Sequence, residues 1–148
     1  MRFPKILIFL LLISHFSFAK NTKPLPAIHI KKTSQKIDVD GELNEIDWQN
    51  AEIASDFFMN LPADTSYAKS RTEVKIMYSN SAIYVGAICY DSIPGDYVIQ
   101  SLKRDFSYPV SDAFTVVLDP FNDKTNGFSF GVNPFGVQRE GQIGRAHV

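Results

Sequence analysis

From Thr72 onward, apolar and polar side chains alternate along the chain. Val74, Ile76 and Tyr78 fall on one side of an extended run, and Glu73, Lys75 and Met77 fall on the other. Ser79-Asn80-Ser81 is polar turn material. Ile83, Val85, Ala87 and Cys89 then alternate with Tyr84, Gly86, Ile88 and Tyr90. Both sets are apolar or aromatic, as in a central strand covered on both faces. The two runs predict a hairpin with Tyr84 and Tyr90 in the core. Tyr97–Leu102 predicts a weaker strand, and Lys103–Ser111 an irregular loop rich in aromatics. Asp112–Asp119 alternates again, with Phe114, Val116 and Leu118 on one side, and Pro120–Gly127 is turn chemistry. Phe128, Phe130 and Val132 share one face of a further strand. Asn133-Pro134-Phe135-Gly136 predicts another turn, and Val137–Gln142 the start of one more strand.

The period changes upstream. Within Ile37–Trp48 (IDVDGELNEIDW), Asp40-Gly41 marks a turn. Leu43 and Ile46 share a face only at helical i, i+3 spacing, which predicts one short helical turn near Leu43–Trp48. Glu42 and Glu45 suit its first turn, where the helix dipole favours negative charge. Trp48 beside Leu43 and Ile46 reads as core. Ala51–Phe58 returns to extended structure. Residues 20–36, Lys-rich with Pro24 and Pro26, read as a tether containing one alternating piece, Ala27–Lys31, that predicts a first edge strand. Short strands with regular Gly, Pro and Asn punctuation predict an all-β fold, specifically an antiparallel, jelly-roll-like β-sandwich truncated at its C-terminus. A βαβ fold needs helices of about ten or more residues between strands, and the pattern leaves no room for them.

The two ends read differently from the middle. Arg2 and Lys5 precede the apolar run Ile6–Ile13, and Ser17-Phe18-Ala19 supplies small residues at signal-peptidase spacing. Residues 1–19 are therefore expected to be a signal peptide cleaved after Ala19, with Lys20 excluding lipoprotein processing. The apolar stretch is short against the roughly 20 residues a bilayer span needs. The expected location is exported: periplasm, outer membrane or cell surface. The last six residues, Ile143-Gly144-Arg145-Ala146-His147-Val148, match the translation of a common sequencing-adapter read. Residues 143–148 are accordingly expected to be a scar, with 37–142 forming the N-terminal part of the domain.

Composition adds exclusions. The chain has 148 residues with 13% aromatics and a formal net charge of −1, which argues against disorder and against a basic nucleic-acid surface. Residues 20–142 keep all 16 acidic side chains but lose Arg2, Lys5 and Arg145, so the predicted mature stretch is more acidic. With Cys89 alone, no intramolecular disulfide forms despite the export route. His29 is the only histidine in that stretch, too few for a His-based metal centre. Cys89 falls in a covered strand without a base beside it, and no G-x-S-x-G occurs. A glycosidase needs only two carboxylates at a set separation, but nothing singles out a pair among sixteen. Catalysis by this chain is not expected. Asp119, Asn122 and Asp123 place three oxygen ligands within five residues, a candidate calcium loop. The same residue types form turns around Pro120, and that reading is preferred. Asp38 and Asp40 near Gly41 admit the same pair of readings. No other cofactor is indicated.

IDVDGELNEIDW, followed by TEVKIMYSNSAIYVGAICYDS and SDAFTVVLDPFND, resembles the family 9 carbohydrate-binding module. The shared features are a D-G-x-(L/I)-x-E-x-x-W opening, a long hairpin ending in Asp, and a D-x-(F/V)-x-(V/I) strand. Arg104–Gly141 is also similar to large bacterial outer-membrane proteins of unassigned function that begin with such a module and continue into a predicted β-barrel. The resemblance covers Ile37–Gln142. It implies a non-catalytic module that stacks aromatic rings on sugar faces, associated with polysaccharide binding or breakdown. The site it implies here is Phe106, Tyr108 and Asp112. Phe106 and Tyr108 stand where sugar-binding members carry a clamp Trp, and Gly131 stands where they carry a basic residue. The implied partners are a glycan ligand and a downstream domain of the same chain, a glycoside hydrolase or an outer-membrane barrel. The alternative function is a structural periplasmic or docking module of such a barrel, with no sugar binding.

Overall fold

The computed structural model describes residues 26–61, 65–91 and 95–144. The signal segment with Ala19, residues 20–25 of the tether and the last four residues lie outside that range. The fold is all-β: seven strands in two sheets, with one five-residue helix and one 3-10 turn among the described residues.

The first sheet is organised by β3 (Thr72–Tyr78) and β4 (Ile83–Cys89), the hairpin the alternation predicts, in register from Thr72 opposite Cys89 to Tyr78 opposite Ile83. Ser79 closes the turn. Its N–H donates to the Ala82 carbonyl (2.8 Å) and its hydroxyl accepts from the Ser81 and Ala82 amides. Because β4 occupies one edge of β3 throughout, two short strands share the other edge. β1 (Lys31–Lys32) lies beside Met77 and Tyr78, and β2 (Ile53–Ala54) beside Lys75 and Val74. β1 runs parallel to β3, an exception to the antiparallel expectation, and it starts where the predicted strand Ala27–Lys31 ends.

Between β1 and β2 the chain folds over one face of this ribbon. α1 (Ile46–Asn50) starts later than the predicted turn, with Glu45 at its N-cap and Asp47 as the acidic residue of its first turn. Glu42 and Leu43 precede the helix, so Leu43 and Ile46 do not share a helical face. Leu43 packs on the core while Ile46 is half exposed. Trp48 is core, as predicted, at 3% exposure. It joins Ile37, Ala51 and Met77, with Leu43 and Tyr84 packed against them. Two lysines from the underlying ribbon close the helix end: Lys75 Nζ donates to the Trp48 carbonyl and Lys31 Nζ to the Asn50 carbonyl, each at 2.7 Å. Carbonyls at a helix C-terminus lack intrahelical donors, and cations suit that end of the dipole.

This arrangement reverses the apparent polarity of β3. The face carrying Glu73, Lys75 and Met77 looks like the solvent side, yet Met77 is the most buried residue at 1% exposure. Lys75 lays its stem along the core and carries its charge to the helix end. Gly86, opposite Lys75, makes room for this cover. A β-carbon there would stand 2.7 Å from Leu43 Cδ2 and 3.2 Å from Trp48 Cη2. Tyr84 stays packed, but β4 ends at Cys89, which is exposed, and Tyr90 lies beyond it, also exposed. The core reading of Tyr90 and the covered reading of Cys89 are corrected accordingly.

The second sheet is the meander β5 (Phe114–Leu118), β6 (Gly127–Val132) and β7 (Gln138–Ile143). Its pairing puts Phe114, Val116, Leu118, Phe128, Phe130 and Val132 on one face. That face turns toward Ile83 and Val85 of β4 across a cavity of about 490 Å³. The two sheets thus bracket open space, and Phe128, Phe130 and Val132 remain part-exposed. The close interdigitation of a packed sandwich is not present among the described residues. Tyr97–Leu102 is not a strand. Val98 instead exchanges two bonds with Asp112, whose N–H donates to the Val98 carbonyl (2.7 Å) and whose Oδ2 accepts from the Val98 N–H (2.8 Å).

Truncation of a fully buried Met leaves a cavity, whereas truncation of an exposed residue does not. Met77→Ala is expected to cost about 2–5 kcal/mol in urea unfolding. Ile83→Ala, at a residue 56% exposed, is expected to cost less than about 1 kcal/mol. Equal losses would place the core on the other face of the ribbon.

Candidate ligand groove

The Phe106–Tyr108 loop lies against β7. Arg139 Nη1 donates to the Phe106 carbonyl (3.2 Å), and the Arg139 guanidinium carbon sits 4.1 Å from the Tyr108 ring centroid. Phe106 is 4% exposed, so its ring is used in packing and offers no platform. Tyr108 is half buried at the start of the 3-10 turn Tyr108–Val110, with one ring face held by Arg139. Arg139 stands directly opposite Gly131 in the β6–β7 ladder.

Asp112, the third predicted site residue, is exposed and sits away from this stack, clamped to Val98. Ser111 continues the clamp, its hydroxyl accepting from the Gln100 N–H at 3.2 Å. The effect is to hold Tyr97 beside the ends of both sheets. There a groove of about 740 Å³ opens, lined by Ala87 and Cys89 from β4, Tyr90, Tyr97, Asp112 and Asn133 among others. Tyr90 turns its ring to the Glu73 side of the ribbon, its hydroxyl donating to Glu73 Oε2 (3.2 Å) and Arg71 lying 5.1 Å from its ring centroid. Tyr97 is well exposed. Asn133, 3% exposed, uses Oδ1 to accept from the Phe135 and Val137 amides, while its buried Nδ2 has no partner among the described residues.

The structure thus brings Asp112 together with Tyr90, Tyr97 and Asn133, not with Phe106 and Tyr108. Tyr97 lies in a segment that alternation reads as a strand, so its exposure is hidden in the sequence. The exposure of Tyr90 is foreshadowed by the Asp91 to Gly95 punctuation that ends β4 immediately before it.

The candidate calcium residues serve the turn. Asp119 accepts from the Asp123 (3.3 Å) and Lys124 (2.9 Å) amides. Asp123 accepts from the Thr125 and Asn126 amides and from Asn126 Nδ2 (2.6 Å). Asn122 and Lys124 take the left-handed backbone that such a tight loop requires. Among the described residues there is no group of three or more His, Cys, Asp or Glu side chains placed to hold a metal ion. Asp38 and Asp40 likewise serve a turn: Asp40 Oδ1 accepts from the Glu42 N–H (2.9 Å) around Gly41 at positive φ. His29 is exposed beside Glu52, with Nδ1 3.2 Å from Oε1.

Comparison with known proteins finds no match for the chain among family models, curated proteins or solved structures.

The Asn126 side-chain amide first, then the Asn126 and Thr125 backbone amides, hold the Asp123 carboxyl well below its ordinary value of 3.8. A depressed folded-state value means that ionised Asp123 stabilises the loop at neutral pH and loses this effect only as acid protonates it. In an NMR acid titration, the Asp123 carboxyl carbon is expected to titrate below pH 3.8. Titration at the ordinary value would show that these bonds do not form.

Proposed function

We propose that the chain is a non-catalytic carbohydrate-binding module of an exported cell-envelope protein, and that the groove at the sheet ends is its glycan site. One observation carries this reading: two exposed tyrosines are among the residues lining a groove that also contains a carboxylate and a buried amide donor. Sugar rings present C–H faces that pack on aromatic surfaces, while their hydroxyls require fixed donors and acceptors nearby. Tyr90 and Tyr97 supply the first, Asp112 and Asn133 the second. The family 9 resemblance of Ile37–Gln142 supports the same ligand class. Tyr108 and Phe106 then act as anchors for the loop that precedes β5, and Asp112 keeps its proposed place in the site.

A second reading, a structural docking module for an outer-membrane barrel, draws support from the part-exposed apolar face of Phe128, Phe130 and Val132. The two separate experimentally. Affinity electrophoresis on a panel of cell-wall and storage glycans is expected to show retardation by at least one polysaccharide. Tyr97→Ala is expected to weaken that binding about tenfold or more, since stacking on one ring contributes on the order of 1–3 kcal/mol. Phe106→Ala is expected to act through stability alone. No retardation on any glycan would favour the docking reading.

A further inference from the structure

The strand edges of this fold are not treated alike. β3 is paired along both sides, and β1 and β2 beyond it are two residues each, with Lys31 and Lys32 on the first. The outer edge of β7 is closed by Asp105, whose N–H donates to the Gln138 carbonyl (3.0 Å) and whose Oδ1 accepts from the Glu140 N–H (3.1 Å). Arg104 and Glu140 add an ion pair over the same edge. β5 is bounded by Asp112 and Asp119 at its two ends. β4 is less guarded: its seven residues, IYVGAIC, include no charge and no proline, and only Asp91, two residues beyond one end, carries a charge beside it.

The phase of its hydrogen bonds is fixed by two flanking contacts. The Tyr90 N–H donates to the Arg71 carbonyl, and the Ala82 carbonyl accepts from the Ser79 N–H, both at 2.8 Å. In an antiparallel ladder each residue directs its N–H and C=O to the same neighbour, and successive residues alternate. The even-numbered residues of β4 therefore bond to β3. Ile83, Val85, Ala87 and Cys89 direct theirs outward, where no described residue meets them. An unguarded edge of this kind is a template for another strand.

We propose that β4 is a self-association edge, at which a second copy of this chain pairs its own β4 antiparallel across a two-fold axis at Gly86. This register pairs all seven residues. It places Val85 opposite Ala87 and Ile83 opposite Cys89 of the partner copy, all of them outward-bonding positions, and each such pair exchanges two hydrogen bonds. Opposed residues share a face, so Ile88, 40% exposed, meets Tyr84 of the second copy as an apolar cross-strand pair. Ser81 then stands opposite Asp91, so the two copies meet without like charges in register. The same operation on β5, about Val116, pairs only five residues before Pro120, which has no N–H to give, stands opposite Asp112 of the second copy, so β4 offers the longer self-pairing edge. The contact is isologous, as a two-fold dimer requires.

The full chain is expected to show a concentration-dependent monomer–dimer equilibrium by sedimentation velocity in reducing buffer, which prevents linkage through Cys89. Ala87→Pro removes an outward N–H and no bond to β3, so it is tolerated at a strand edge. It is expected to weaken dimerisation about tenfold or more. Amide hydrogen exchange supplies a readout without a variant. The Val85 and Ala87 amides are expected to slow as protein concentration rises, while the Gly86 and Ile88 amides are slow throughout. A monomer at every concentration, exchange at Val85 and Ala87 that ignores concentration, or a folded Ala87→Pro chain that dimerises unchanged would each overturn the proposal.

Discussion

The fold depends on one packing contact: the Trp48 ring laid over Gly86 and Met77 on a single face of the β3–β4 ribbon. A two-stranded ribbon is marginal in water until something covers it, and here the cover is the segment that carries the short helix. Burying an indole removes roughly 150–250 Å² from water, on the order of 4–6 kcal/mol at about 25 cal/mol per Å². The Trp48 Nε1–H has no partner among the described residues, at a cost of about 1–3 kcal/mol. The apolar gain is larger, so the ring stays in. Lys31 and Lys75 then hold the helix end down from below, and Thr33 Oγ1 donates to Asp47 Oδ2 at its start (2.5 Å).

That contact also explains where open space remains. One face of the ribbon is filled by its own upstream segment, so the other face is left for the second sheet. The second sheet approaches without filling the gap, leaving the apolar cavity between the sheets and the groove at their ends. The groove walls are held by hydrogen bonds, from Tyr90 to Glu73 and from the Tyr97 segment to Asp112 and Ser111. A ligand entering such a site meets rings already oriented, which lowers the ordering cost of binding.

Much of this was legible in the sequence, and the failures have specific causes. The β3–β4 hairpin follows residue for residue from alternation and the Ser-rich turn, and β5 and β6 follow from theirs. Trp48 is core as expected, although the helical pairing of Leu43 with Ile46 that suggested it does not form. The side of β3 that holds the core was not legible. Lysine counts as polar in any binary pattern, yet Lys75 reaches a helix carbonyl along an apolar path. Phe106 was misread for a similar reason, since a loop aromatic outside any alternation gives no sign of whether it anchors or projects. The Asp112 clamp on Val98 was invisible because it replaces a strand pairing with a side chain acting at a distance of fourteen residues.

The contact at the centre of this account has its own reporter, since Trp48 is the only tryptophan in the chain. Acrylamide quenching of its fluorescence in the native protein, compared with the same protein in concentrated urea, measures directly whether the ring is covered. Blue-shifted native emission is expected, with quenching several-fold weaker than in urea. Native emission at the wavelength of a solvated indole, quenched as readily as in urea, would contradict it.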